Sequence, residues 1–127
     1  MAIWFIRISL AYIVIGVIFG LIIGISEKLA FANVHAHINL LGWATLALAG
    51  IIYTLFPAAG NSRLAVAHFW LHNIGLPIFM VGLYIVDSGN LSGGIPATST
   101  GAIITILGIL CFAFNVWFNV KATPRSA

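Results

Sequence analysis

Four histidines carry most of the chemistry open to this chain, and they fall into two pairs. His35 and His37 are one residue apart, and His68 and His72 are four apart. Neutral imidazole ligates iron, copper and zinc, and ionisable side chains at membrane depth are costly enough that they usually serve a function. Successive helical residues turn by about 100°, so positions two apart point to nearly opposite faces and positions four apart share one. His35 and His37 therefore cannot bind one metal from a single helix, but they can serve two sites, one on each side of it. His68 and His72 can reach a common site, although two ligands do not complete a metal centre. Their plainer role is interhelical hydrogen bonding, with proton handling or a minor metal site as alternatives.

The elements that position these residues are legible in the composition. Of 127 residues, 62% are hydrophobic and 6% charged, more apolar surface than a water-soluble domain can bury, so the chain is read as a membrane protein in contact with the lipid bilayer. Four apolar stretches, at about 3–25, 33–56, 64–86 and 98–120, are each long enough to cross ~30 Å of hydrocarbon at ~1.5 Å per residue. The expected fold is all-α: one four-helix transmembrane domain over residues 1–127, with short connections making neighbouring helices antiparallel. The first stretch is too long for a secretory signal core and lacks a small-residue cleavage pattern, so it reads as a structural helix.

The formal charge of +3 comes from basic residues scattered at segment ends, which form no nucleic-acid-binding patch. Their distribution sets an orientation instead. Arg7, Arg63, Lys121 and Arg125 fall on one side and Lys28 on the other, which makes both termini cytoplasmic in a multi-pass protein of the inner (cytoplasmic) membrane. The single cysteine, Cys111, rules out an intrachain disulfide. Gly16, Gly20 and Gly24 recur every four residues and mark a face for close helix packing. Pro77 should kink the third helix. By helical rise, the two histidine pairs should lie roughly 15 to 25 Å apart along the membrane normal, with His68 and His72 near the cytoplasmic end.

The run Val34-His35-Ala36-His37-Ile38-Asn39-Leu40-Leu41-Gly42-Trp43, followed by Tyr53 and Pro57, resembles the tenth transmembrane helix of the catalytic subunit of heme-copper oxidases. The likeness is greater to the cbb type than to the related nitric oxide reductases. His68-Phe69-Trp70, with Gly75 and Tyr84, is similar to the helix that follows. The resemblance implies that His35 takes the place of the ligand to a high-spin, gas-reacting heme iron and His37 that of one ligand to a low-spin heme iron. It implies no heme-ligand role for His68, and His72 has no counterpart. Asn39 and Trp43 stand near enough in sequence to support the cofactor, and Lys28 to meet a propionate. Heme b is the implied cofactor, and copper is implied only weakly.

A full subunit of that family has at least twelve helices, so one copy of this chain is not a complete heme-copper oxidase. At most it is an oxidoreductase component. Three arcs of four helices make up the family fold, so the resemblance also implies a homotrimer with heads meeting tails around a ring. The functional expectation is a membrane b-type heme protein that transfers electrons from a redox partner or quinol, or binds nitric oxide or oxygen. The rival is a non-enzymatic membrane subunit or a heme or copper handling factor.

Overall fold

The computed structural model describes residues 1–121, and these form helices joined by short turns, with no strand. Arg125, one of the five residues used to orient the chain, lies outside them. Among the described residues, four helices are long and apolar enough to span a membrane: α1 (Ala2–Ser26), α2 (Leu29–Leu55), α3 (Arg63–Asp87) and α4 (Leu91–Asn119). The protein is thus an all-α, multi-pass membrane protein.

The chain reverses where local chemistry disfavours helix. Glu27 closes α1 in the left-handed conformation, its φ at 56°, with its backbone N–H on the Ile23 carbonyl. At the end of α2, Phe56 leaves helical geometry because Pro57 crowds the residue before it. A single turn over Pro57–Gly60 follows, and the Ser62 hydroxyl then accepts from the Ala65 amide at 3.1 Å to cap α3. α3 runs as one element through Pro77. Gly89, with φ at 93°, makes the last turn, and the Asn90 side chain caps α4 by accepting from the Gly93 amide at 2.9 Å.

That cap changes one boundary. The glycine-rich stretch before Pro96 reads as a break in sequence, with the helix expected from 98, yet α4 begins at Leu91. Once Asn90 has nucleated the turn, Pro96 forfeits only the single bond its absent N–H would make to the preceding turn.

α2 is not uniform. It opens with a 3₁₀ turn over Leu29–Phe31, is α-helical over Ala32–His37, widens to a π-helix over Ile38–Thr45 and returns to α over Leu46–Leu55. Such widening is rare and concentrates at functional positions.

Small residues let the helices approach in pairs. Between α1 and α2, a Cβ on Gly16 would fall 2.5 Å from Asn39 Oδ1, on Gly20 2.5 Å from His35 Cε1, and on Gly42 2.5 Å from Tyr12 Cδ1. Between α3 and α4, a Cβ on Gly75 would fall 2.6 Å from the Thr105 amide nitrogen, and one on Gly101 would overlap the Phe79 backbone. Gly24, expected on the same packed face as Gly16 and Gly20, has nothing within 4 Å. The stripe therefore works within the chain for two of its three members. Outside, residues such as Val14, Ile18, Leu21 and Ile25 on α1 and Trp117 on α4 are exposed, as a surface facing lipid requires.

Candidate functional site

The two histidines of the HxH motif sit on opposite sides of α2, as their spacing demands. His35 faces α1: its Nδ1 lies 2.9 Å from the Gly16 carbonyl oxygen, and its ring stands over Gly20. His37 faces α3, with its ring edge-on to Phe79 at a centroid distance of 5.1 Å. Its Nδ1 lies 2.8 Å from the Asn33 carbonyl oxygen one turn back.

These partners decide where the protons are. A carbonyl oxygen only accepts, so both Nδ1 atoms carry hydrogen and both Nε2 atoms present a bare lone pair. This is the arrangement of a ligating imidazole, whose second nitrogen donates to a carbonyl and so fixes the tautomer and the ring plane. Asn39 backs His35. Its Nδ2 donates to the His35 carbonyl at 2.9 Å and lies 3.3 Å from Nδ1 and 3.5 Å from Nε2 of the same ring, while its Oδ1 is buried with no hydrogen-bond partner among the described residues. Trp43 is 41% exposed, and no aromatic contact with either histidine is present among the described residues.

His68 and His72 form a different kind of site, and both are fully buried. His68 lies between Phe5 of α1 and Phe112 of α4, at centroid distances of 4.8 and 5.1 Å. Its Nδ1 is 3.1 Å from the Tyr53 hydroxyl of α2, so all four helices meet at this ring. His72 Nε2 donates to the Leu41 carbonyl at 3.1 Å, within the π segment of α2.

The polar column continues through Asn115, which is also fully buried. Its amide nitrogen donates to the Tyr53 hydroxyl at 3.3 Å and to the Ala59 carbonyl at 3.0 Å. Its oxygen accepts from Ser62 at 2.9 Å and from Asn119 at 2.8 Å. Nothing in the sequence reading singled out Asn115 or Ser62, although an asparagine amid the apolar run of the last span was a visible signal.

The spacing between the pairs needs correction for one member. His72 bonds to Leu41 and His68 to Tyr53, four and sixteen residues beyond His37 on α2, so by helical rise they lie roughly 6 Å and roughly 24 Å from it along the helix, and the expected spacing holds for His68 but is too long for His72. The estimate of 15 to 25 Å placed His72 at the cytoplasmic end. The residue instead lies nine positions beyond Arg63, roughly 14 Å into α3 by the same rise. The two pairs still do not converge: among the described residues, no three His, Cys, Asp or Glu side chains form a group able to hold a metal ion.

Fold and site together define a four-helix membrane protein that offers two bare imidazole nitrogens on opposite faces of one helix. The chain is similar to cytochrome c oxidase subunit 1 of Rhodobacter capsulatus, 27% identical over 122 residues, with 73% of this chain covered. It spans 23% of the length of that relative. No family model matches the chain, and no solved structure matches it significantly.

Proposed function

We propose that this protein is a membrane-embedded b-type heme protein that transfers electrons or binds a diatomic gas, with His35 and His37 as the residues that would hold the heme through Nε2. One observation carries the reading: both motif imidazoles spend Nδ1 on a backbone carbonyl and turn an unprotonated Nε2 outward on opposite faces of α2, with only the Asn39 side-chain nitrogen, at 3.5 Å, near that of His35. The oxidase similarity supports a redox role in the membrane, and the HxH and LGW residues favour the cbb-type branch. Copper has no comparable support.

A heme so held would supply a one-electron iron couple where both axial positions are imidazole, or an open coordination position for nitric oxide or oxygen where one is not. The chain's own part is positional. The Gly16 carbonyl and the floor at Gly20 hold the His35 plane, and Asn39 packs beneath it. The Asn33 carbonyl and Phe79 hold that of His37. Both rings enter ligation with little rotational freedom left to lose, which favours binding.

The second ligand for each iron comes, in this reading, from another copy of the chain. A closed head-to-tail ring of three brings one face of α2 against a different face of its neighbour, so that His37 of one copy meets His35 of the next. Both termini are cytoplasmic in this assembly, consistent with Arg63 and Lys121 on one side and Lys28 on the other.

The test is the absorption spectrum of purified protein, oxidised and dithionite-reduced, with a pyridine hemochrome assay. Stoichiometric heme b is expected. Protein that inserts and purifies without heme would instead favour a non-enzymatic subunit or a handling factor.

A further inference from the structure

The polar column fixes the tautomers of the buried histidine pair, and those tautomers leave one donor and one acceptor without a partner. The Ala59 carbonyl can only accept, so the Asn115 atom facing it is the amide nitrogen, which also donates to the Tyr53 hydroxyl oxygen. The Tyr53 hydroxyl hydrogen then has one acceptor within reach, His68 Nδ1 at 3.1 Å. His68 Nδ1 is therefore the bare nitrogen and His68 Nε2 carries the hydrogen. His72 is settled from its other side: its Nε2 donates to the Leu41 carbonyl, which leaves Nδ1 bare.

The two remaining atoms are a donor, His68 Nε2–H, and an acceptor, His72 Nδ1. Both are buried with no hydrogen-bond partner among the described residues. Their rings are neighbours, with centroids 5.3 Å apart and planes at 72°. A direct N–H···N bond would satisfy both, and it is not made. Leaving both unsatisfied in the bundle interior would be costly. The missing partner must be small, must accept from one ring and must donate to the other. A metal ion meets neither requirement in these tautomers, because it needs two lone pairs and finds one.

We propose that a single buried water molecule bridges His68 Nε2 and His72 Nδ1. It joins Asn115, Tyr53, His68 and His72 into one hydrogen-bonded column that ends on the Leu41 carbonyl in the π segment of α2. The water accepts the His68 hydrogen and gives one of its own to His72, so that both orphaned ring atoms are paired through one molecule. This site is independent of heme at His35 and His37, and it gives the widened turn of α2 a fixed partner on α3.

The test is solid-state NMR of the full chain in lipid bilayers with ¹⁵N-labelled histidine, in which protonated and bare ring nitrogens resonate in separate regions. For both His68 and His72, hydrogen on Nε2 and a bare Nδ1 are expected. His68 Nε2–H should show a cross-peak to a water proton, and His72 Nε2–H should show none. Hydrogen on His68 Nδ1, or absence of the water cross-peak, would overturn the proposal. So would a joint shift of His68 Nε2 and His72 Nδ1 on adding one equivalent of Zn²⁺ or Cu⁺, which would make the pair a metal site.

Discussion

His35 Nδ1 lies 2.9 Å from the carbonyl oxygen of Gly16, which ties an α2 imidazole to the backbone of α1. The contact exists because neither Gly16 nor Gly20 has a side chain. The rest of the site depends on it, since the bond that orients the ring also makes Nε2 the nitrogen with the available lone pair, 3.5 Å from the Asn39 side-chain nitrogen.

Enlarging Gly20 should therefore damage the site without touching a proposed ligand. A Cβ there would sit 2.5 Å from His35 Cε1, and Gly20→Leu would force the ring out of its plane, at a cost of about 1–3 kcal/mol. Thermal unfolding in detergent should show the loss, and heme content should fall with it. Gly24→Leu, with nothing within 4 Å of its Cβ, should change stability by less than about 0.5 kcal/mol. Equal effects of the two substitutions would mean that the α1–α2 contact is misassigned.

Tyr53→Phe removes the hydroxyl that links Asn115 to His68. It leaves His68 Nδ1 buried and unpaired, which should cost about 1–3 kcal/mol. Heme content should not change, because His68 and His72 already use Nδ1 and Nε2, respectively, within the protein. Unfolding midpoint and heme stoichiometry, measured on the same sample, separate the two effects. Loss of heme from a well-inserted Tyr53→Phe or His72→Ala protein would move the ligands to the buried pair.

The α3–α4 pair should be the least tolerant of added bulk. Gly101 abuts the Phe79 backbone, and Gly75 the Thr105 amide nitrogen, so there is no flexible side chain that can yield. Gly101→Leu should lower the yield of folded protein in detergent more than Gly20→Leu does. Phe79 would also move, and with it the ring that packs on His37.

The four spans and the opposed faces of His35 and His37 were legible in sequence, because both follow from hydrophobic length and from the ~100° turn per residue. The meeting of His68 with Tyr53 and Asn115 was not. It depends on how α2, α3 and α4 lie against one another, and helical periodicity carries no such information. The π segment over Ile38–Thr45 was equally hidden: Leu41 was read as one apolar residue among many, whereas its carbonyl is what His72 requires. The depth estimate was too long for His72, though not for His68, for a related reason. It placed His72 by its segment's start rather than by its partner on the facing helix.

Native mass spectrometry in detergent tests the proposed ring. Three chains with one heme per chain are expected. The two rings face different helices within one chain, so under the proposed bis-imidazole ligation a second imidazole would come from a neighbour. A stable heme-loaded monomer, or a dimer sharing one heme, would exclude the head-to-tail trimer while leaving the ligand assignment open.

The ligand assignment has its own direct measurement: the Soret and α-band spectrum of purified His35→Ala and His37→Ala proteins beside the parent, at matched insertion and yield. The parent should show a b-type spectrum that each substitution abolishes or converts to a different ligation state. Parent-like spectra from both variants would show that neither imidazole holds the iron, and the proposed heme site at His35 and His37 would be wrong.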